Sequence, residues 1–273
     1  MKILIAADME GITGVTTWDQ VTPGHGEYAR FRELMTQDVN AAIRGAYNAG
    51  ADEVMVADGH WNGSNILIEE FDPRAKLNTG SPSPFSMMQG IDETIDGVMF
   101  IGYHARNGSP NAILDHTWSS KTLANIWLND ILTGEYGLNA AVAGHFGVPV
   151  IMVSGDQTAC AQVTELLGDV EAVVVKQASG RFAAECLTPQ VTQEIICLSA
   201  ERAVERLTQG DLPDPFVLDT PITITVEFFS SDMADRATRI PFTKREGTRV
   251  SFTTQEMASV YNGFRAMVML ASG

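Results

Sequence analysis

The chain has 273 residues, of which 45% are hydrophobic and 19% are charged, as is typical of a globular protein with one large or two modest domains. Its 34 acidic and 18 basic residues give a net charge of −16, which argues against nucleic acid or an anionic membrane as a partner because their phosphates would be repelled. No apolar run has the length of a membrane span or the pattern of a signal peptide, which favours a cytoplasmic protein without a membrane partner.

Short apolar runs in the first two thirds of the chain predict strands buried on both faces. These runs cover residues 2–7, 52–60, 96–104, 148–156 and 171–177. Residues 28–50 carry apolar side chains at helical spacing and end at Gly50, a residue type that commonly caps helices, and residues 139–147 resemble the end of another helix. This alternation predicts an α/β fold with a mostly parallel sheet flanked by helices.

A hairpin and a C-terminal region interrupt the alternation. Residues 123–135 hold two short apolar runs around Asn129-Asp130, which predicts a β-hairpin. Residues 210–221 contain three prolines and three aspartates, as is typical of a linker. The tail predicts strands over 222–229 and 249–254 and helices over 231–240 and 256–271. We therefore expect an α/β domain over 1–209, a linker over 210–221 and a small α+β region over 222–273.

Polar side chains stand at the carboxyl ends of the first three predicted strands, where ligands bind in an open parallel sheet. Asp8 and Glu10 follow the first strand, His60 closes the second, and His104 closes the third. Carboxylate and imidazole groups are usual ligands of zinc and similar metals. Because parallel strands end at the same edge of a sheet, these four side chains could converge on a metal.

The backbone after the first strand decides whether Asp8 and Glu10 can act together. On an extended chain their side chains would point apart, and Gly11 and Gly14 make a turn easy. An acid at a strand end more often caps a helix or binds turn amides, and a strand-terminal histidine is more often structural. The joint occurrence of two acids and two histidines makes a metal site as well supported as these alternatives.

Glu135 and His116 are two further candidates. Glu135 lies between the hairpin and the next helix, and its alternative role is that of a first-turn acid favoured by the helix dipole. His116 lies beside Asp115 and Thr117, a setting that suits a titratable catalytic group with an orienting neighbour. An exposed loop histidine is the alternative for His116.

The remaining reactive residues are interpreted as structural or surface groups. His25 is flanked by glycines in a loop, and His145 lies near a helix C-terminus. Lys176 and residues 179–186 form a basic spot that could hold a substrate carboxylate, although a solvated surface charge is the default interpretation. The three cysteines lack CxxC spacing and are interpreted as reduced, buried thiols: Cys160, Cys186 and Cys197.

Four motifs occur in order along the chain: DMEGITG after the first strand, DGH closing the second, GYHA closing the third, and GE-x-GLNA after the hairpin. Together they resemble the D-aminopeptidase family of binuclear zinc peptidases, peptidase family M55, which is associated with dipeptide transport. The likeness runs from about Lys2 to about Cys186. Neither a G-x-S-x-G elbow nor a phosphate-binding loop indicates a different chemistry.

The resemblance implies two zinc ions per subunit and a catalytic histidine. Its metal ligands would be Asp8 as the bridge, Glu10 and His60 on one ion, and His104 and Glu135 on the other. His116 matches the catalytic histidine of the family. The family also forms ring-shaped homo-oligomers that enclose a chamber, so a ring, of which a decamer is one form, is expected here.

These expectations lead to a metal-dependent aminopeptidase that hydrolyses the N-terminal residue of short peptides, including D-amino acids. Two zinc ions carry four positive charges against three carboxylates, and a bridging hydroxide would supply the nucleophile. One alternative is a non-catalytic peptide-binding protein whose acids grip a peptide ammonium group. Another is a two-metal amidohydrolase or phosphoesterase with a different substrate.

Overall fold

Parallel strands form the centre of the molecule, as the alternation of apolar runs predicts. The computed structural model describes residues 1–211 and 214–273. The strands and α-helices of these residues are, in chain order, β1 (Lys2–Ala7), α1 (Tyr28–Asn48), β2 (Glu53–Asp58), β3 (Lys76–Asn78), β4 (Gly97–Tyr103), β5 (Leu123–Leu128), β6 (Ile131–Thr133), α2 (Glu135–His145), β7 (Val150–Asp156), α3 (Gln157–Leu167), β8 (Glu171–Gly180), β9 (Ala183–Cys186), α4 (Pro189–Gln209), β10 (Ile222–Phe228), α5 (Ser231–Ala237), β11 (Lys244–Glu246), β12 (Arg249–Thr254) and α6 (Met257–Ala271). Two short 3₁₀ helices, Trp18–Gln20 and Ser86–Met88, lie between these elements.

The main sheet has the strand order β3-β2-β1-β4-β7-β8-β9. Its strands pair in parallel except β9, which is antiparallel to β8. The five predicted buried strands correspond to β1, β2, β4, β7 and β8, so the predicted α/β fold with a mostly parallel sheet is confirmed. Every residue of β4 and β7 is buried, which explains why these runs are continuously apolar.

Helices cover both faces of this sheet. Alternate side chains of β1 enter different cores, because successive residues of a strand point to opposite faces. Ile3 and Ile5 pack with α1 and α4, whereas Leu4 and Ala6 pack in the core that contains α2 and α6. The predicted first helix is confirmed as α1, and Gly50 follows it with a φ of +90°, a left-handed conformation that glycine adopts without strain.

A second, antiparallel sheet has the strand order β11-β12-β10-β5-β6. The predicted hairpin is confirmed as β5 and β6, and Asn129 and Asp130 connect them with φ values of 45° and 67°. Two consecutive left-handed residues are the geometry of a tight hairpin turn, for which Asn and Asp are suited. Strand β10 alternates buried and half-buried residues, as expected of a strand with one face in a core.

The C-terminal region contains the predicted elements β10, α5, β12 and α6. Its strand β10 pairs with β5, so the C-terminal strands extend a sheet that the hairpin begins. The division into domains 1–209 and 222–273 stays a prediction. Two residues of the predicted linker, Leu212 and Pro213, lie outside the described residues. Among the helices of the described ranges, none is both long and apolar enough to cross a membrane.

The three cysteines differ in their exposure. Cys160 is buried in the core and Cys197 is half-buried, whereas Cys186 is exposed. The expectation of three buried thiols is therefore wrong for Cys186. The reason is its position at the end of β9, the outermost strand of the main sheet, where a side chain can face solvent.

Candidate metal centre

Three adjacent strands of the main sheet deliver polar residues to one edge. Asp8 directly follows β1, His60 lies two residues beyond β2, and His104 directly follows β4. Because β2, β1 and β4 are neighbours and run parallel, these residues leave the sheet at its carboxyl edge, as predicted.

The chain turns sharply after Asp8 and brings Glu10 back to the same side. The amide of Gly11 donates to the carbonyl of Gly102 at 2.8 Å, and this hydrogen bond holds the turn against the end of β4. A Cβ atom at Gly11 would lie 2.0 Å from the carbonyl oxygen of Tyr103, so only glycine fits this approach. The turn on which a shared site depends is therefore present in the structure.

One group of side chains surrounds His60. Its Nδ1 atom lies 3.2 Å from Oδ1 of Asp8 and 3.1 Å from Oε2 of Glu10. All three residues are at most 4% exposed, so water does not screen their charges. The loop that carries His60 is held by Asp58, whose carboxylate accepts hydrogen bonds from the amides of Asn65 and Ile66.

A second group surrounds His104 and shares Asp8 with the first. The Nε2 atom of His104 lies 3.4 Å from Oδ2 of Asp8 and 3.0 Å from Oε1 of Glu135. Asp8 thus presents one carboxylate oxygen to each histidine. Glu135 is the first residue of α2 and is buried, and its Oε1 atom also accepts a hydrogen bond from the amide of Trp118 at 2.7 Å.

His116 completes the cluster from a neighbouring loop. Its Nε2 atom lies 3.8 Å from a carboxylate oxygen of Glu10 and 3.8 Å from one of Glu135. Its ring stacks on that of His104, and the edge-on indole of Trp18 lies 5.4 Å from it between ring centroids. The structure thus brings all six sequence-predicted residues into one buried cluster.

Backbone carbonyls fix the proton on each of the three imidazole rings. His60 donates from Nε2 to Val21 at 2.7 Å, His104 from Nδ1 to Ala105 at 3.0 Å, and His116 from Nδ1 to Leu114 at 2.8 Å, and the acceptor is the main-chain carbonyl in each case. A carbonyl only accepts, so the bonded ring nitrogen carries the proton. The other nitrogen of each neutral ring therefore presents its lone pair to the carboxylates.

This donor set requires positive charge at its centre. Lone pairs of imidazole and carboxylate repel each other at the distances found here unless a cation lies between them. Oε2 of Glu10 is buried and accepts no hydrogen bond from the described residues. Two subsets have ligand atoms close enough to share one ion, namely Asp8, Glu10 and His104, and His104, His116 and Glu135. The residues therefore fit divalent cations of the zinc type.

The ionisation of the cluster points in the same direction. Burial and the neighbouring charge of Glu10 raise the pKa of the Asp8 carboxyl to about 7. Burial favours the neutral form of His104, but the carboxylates of Glu135 and Asp8 outweigh it and raise the pKa of its imidazole to about 10. The cluster thus takes up protons in place of cations, which is the behaviour of an acidic metal site.

The orienting neighbour of His116 differs from the one expected. Asp115 does not contact the ring; its carboxylate pairs with Arg181 at 3.1 Å and accepts a hydrogen bond from the amide of Gly108 at 2.7 Å. The carbonyl of Leu114 orients the ring instead. The backbone of Leu114 has a φ of 50°, a conformation that a non-glycine residue rarely adopts, and it allows this short contact between residues two apart.

Lys176 also differs from its sequence interpretation. It is not a solvated surface charge, because its side chain is 1% exposed and its ammonium group donates to three backbone carbonyls of the turn after β1. Burial lowers the pKa of this ammonium group to about 8. The sequence offered no signal for this contact, since Lys176 is 166 residues away from Glu10.

The two remaining histidines lie outside the cluster. His25 is exposed in a loop, where its Nδ1 atom lies 3.1 Å from the carboxylate of Asp19. His145 is the last residue of α2 and is exposed, as expected for a histidine at a helix C-terminus. Trp18 and Val21, by contrast, contact the cluster without having been singled out by the sequence patterns.

This chain is similar to known proteins over nearly its whole length. A family model described as D-aminopeptidase matches residues 1–266. A D-aminopeptidase of Bacillus subtilis (strain 168) is 35% identical over 273 residues, which cover 99% of this chain and 98% of the relative. A solved structure described as the Zn-dependent D-aminopeptidase DppA from Bacillus subtilis, a self-compartmentalizing protease, superposes with a TM-score of 0.96 at 35% identity and covers 100% of this chain and 98% of its own.

Proposed function

The chain belongs to the D-aminopeptidase family, and from this we propose that it is a zinc-dependent aminopeptidase that removes the N-terminal residue, a D-amino acid, from short peptides. The family predicted from the four motifs is thereby confirmed. The observation that carries the proposal is the buried cluster in which three imidazole rings are fixed with their lone pairs toward three carboxylates. The non-catalytic peptide-binding alternative is not favoured by these relatives.

We propose that the cluster holds two zinc ions, with Asp8 between them. Oδ1 of Asp8 faces His60 and Oδ2 faces His104, so the carboxylate can serve both ions. Glu10 and His60 would complete one site, and His104 and Glu135 the other. When bound, zinc supplies Lewis acidity that polarises the scissile carbonyl and lowers the pKa of a water molecule.

His116 is proposed as the residue that moves a proton during hydrolysis. Nδ1 carries a proton and donates it in a hydrogen bond to the carbonyl oxygen of Leu114, so Nε2 is free to accept a proton and pass it to the leaving amine. Burial and the charge of His104 lower the pKa of the imidazole, which keeps Nε2 unprotonated near neutral pH. Trp18 and His104 contact the ring on two sides and restrict its rotation.

Hydrolysis of a defined dipeptide tests the proposal. The purified chain is expected to cleave D-Ala-D-Ala when zinc is present and to lose this activity with a chelator, whereas L-Ala-L-Ala serves as the stereochemical control. Elemental analysis is expected to give about two zinc ions per chain, in keeping with paired metal sites. Less than one metal per chain, or unchanged turnover after complete metal removal, would contradict the proposal.

We also propose that the protein acts as a ring-shaped homo-oligomer, a decamer being one candidate, in the cytoplasm. The support is the solved relative, which is described as self-compartmentalizing, and the exposure of large apolar side chains such as Phe242 at 92% and Met269 at 71%. Exposed apolar groups favour contact with other subunits. Sedimentation velocity measures the assembly directly, and a monomer at micromolar concentration would contradict it.

A further inference from the structure

Lys176, on β8, carries its ammonium group in the interior of the protein. Nζ donates to the carbonyl oxygens of Glu10 at 2.7 Å, Ile12 at 2.9 Å and Val15 at 2.8 Å. These bonds use the three N–H groups that a lysine has. Among the described residues no carboxylate forms an ion pair with this group, so the carbonyls are its counterpart.

The carbonyls that Lys176 binds belong to the turn that carries the candidate metal ligands. Glu10, Ile12 and Val15 direct their oxygens at one buried point, where the negative ends of their dipoles would repel each other. Buried carbonyls without a donor are costly, and the three residues are at most 2% exposed. The ammonium group satisfies the three oxygens together and thereby fixes the path of residues 10–15.

The position of the Glu10 side chain depends on the backbone of residues 10–15 more than the positions of the other two carboxylates of the cluster do. Asp8 accepts a hydrogen bond from the amide of Met9 at 2.8 Å, and Glu135 accepts one from the amide of Trp118 at 2.7 Å. No backbone amide of the described chain donates to Oε2 of Glu10, whose neighbour is Nδ1 of His60 at 3.1 Å. Outside the cluster itself, Glu10 is therefore anchored through its backbone, whose carbonyl Lys176 binds.

We propose that Lys176 is a positioning residue that holds Glu10 beside His60, so that this half of the centre is preorganised for a divalent cation. The inference rests on the proposed function, because it requires the metal centre. The other half, His104 and Glu135, is anchored through Ala105 and Trp118 and does not touch Lys176. Loss of the ammonium group therefore weakens one half of the centre selectively.

Zinc titration of a Lys176→Met variant tests this selectivity. Methionine has nearly the length of lysine but no donor, and competition with a chromophoric chelator measures the number and affinity of zinc ions on the full chain. We expect one ion to bind as in the wild type and the other to bind at least tenfold more weakly. Two affinities that both stay within twofold of the wild-type values would overturn the inference.

Two further variants separate positioning from a merely structural role. Lys176→Gln retains an amide donor and is expected to lose less zinc affinity than Lys176→Met. Val163→Ala truncates a buried side chain of α3 in the core that contains α2 and α6, and it is expected to lower the free energy of unfolding without changing either zinc affinity. A wild-type chain that binds no zinc would contradict the proposed function. Unchanged zinc binding by Lys176→Met would contradict only the positioning role of Lys176.

Discussion

The imidazole rings of His104 and His116 lie parallel, with centroids 4.0 Å apart and an interplanar angle of 11°. Burial favours the neutral form of both rings. For His104 the carboxylates of Glu135 and Asp8 outweigh burial and raise the pKa. For His116 burial and the charge of His104 together lower the pKa. Neighbouring groups whose pKa values are pushed apart are typical of sites with divided roles. The stack therefore places a histidine with a raised pKa directly against one with a lowered pKa, as the proposed division of roles between His104 and His116 requires.

Replacing His116 by alanine is expected to abolish most hydrolysis while zinc remains bound. Its Nε2 atom lies 3.8 Å from the carboxylates of Glu10 and Glu135, farther than His60 and His104 lie from theirs. Loss of a positioned acid or base typically lowers the rate about 10²- to 10⁴-fold. The measurements are kcat for D-Ala-D-Ala and zinc content by elemental analysis.

The control for this variant is His25→Ala, which removes an exposed loop histidine outside the cluster. It is expected to retain wild-type kcat and zinc content. If His116→Ala instead lost one zinc ion per chain, His116 would be a metal ligand, as its position within one of the two candidate ligand groups allows.

Metal removal is expected to destabilise the wild type but not an Asp8→Asn variant. Zinc that binds only the folded chain stabilises it by about 4 kcal/mol at a thousandfold excess over the dissociation constant. Asparagine retains an acceptor for the amide of Met9 but removes the negative charge of the carboxylate. Without metal, the variant is expected to melt at or above the wild-type temperature, because burial and Glu10 disfavour a charge on Asp8.

Thermal unfolding with zinc and with a chelator measures both effects in the two proteins. The expected pattern is a large zinc-dependent increase in Tm for the wild type and a small one for Asp8→Asn. A wild-type Tm that does not respond to zinc would show that the cluster is a structural network of protons and hydrogen bonds.

Gly11→Ala is expected to damage both the fold and the metal centre. The new Cβ would lie 2.0 Å from the carbonyl oxygen of Tyr103, so the turn that carries Glu10 must move away from β4. Overpacking of this kind costs about 1–3 kcal/mol. Urea unfolding is expected to show this loss in the chelated protein, and zinc titration is expected to show weaker binding in addition.

A matched control is Gly26→Ala, in an exposed loop where an added Cβ would have no neighbour within 4 Å. Its effect on the free energy of unfolding is expected to stay within about 0.5 kcal/mol. Equal behaviour of the two variants would contradict the close approach of the turn to β4.

Local patterns were sufficient to predict the elements that are buried and continuous. Strands such as β1 and β4 carry uninterrupted apolar runs, and Asn129-Asp130 is a turn signal that needs no tertiary context. The short outer strands β3 and β11 have three residues each and contain Lys76 and Lys244, and their pairing depends on a neighbouring strand already in place. Helices α3 and α4 are likewise absent from the predicted elements.

The candidate site shows the same division between local and long-range signals. Asp8, His60 and His104 could be found because each follows a recognisable strand in a parallel sheet. The groups that hold His60 and the turn with Glu10 are not visible in the sequence: the carbonyl of Val21 carries no side-chain signature, and Lys176 is distant along the chain. Backbone contacts and remote buried charges depend on the assembled fold, which a single sequence does not display.

Asp38 is expected to make stability fall as the pH rises from about 4 to 6. Burial raises the pKa of its carboxyl from 3.8 to about 6, although hydrogen bonds from Thr13 oppose this shift. The folded state therefore binds more protons than the unfolded state in this range, and the contribution is complete below pH 3.8 and lost as the pH passes 6. The difference between the folded and unfolded pKa values corresponds to ~3 kcal/mol in the free energy of unfolding. Asp38→Asn imitates the protonated form and removes this loss.

Urea unfolding of the chelated protein between pH 4.5 and 7 measures how the free energy of unfolding changes with pH. The wild type is expected to lose stability relative to Asp38→Asn as the pH rises. Chelation keeps zinc binding, which also depends on pH, out of the comparison. Asp92→Asn is the matched control, because a hydrogen bond from Thr94 lowers the pKa of this exposed carboxyl and gives it the opposite pH dependence. Parallel pH profiles of the free energy of unfolding for the wild type and Asp38→Asn would contradict the prediction, because the buried carboxyl would then titrate as it does in the unfolded chain. The buried hydrogen bonds that link Asp38 to Thr13 and Thr13 to Thr192 would then have no effect on its pKa.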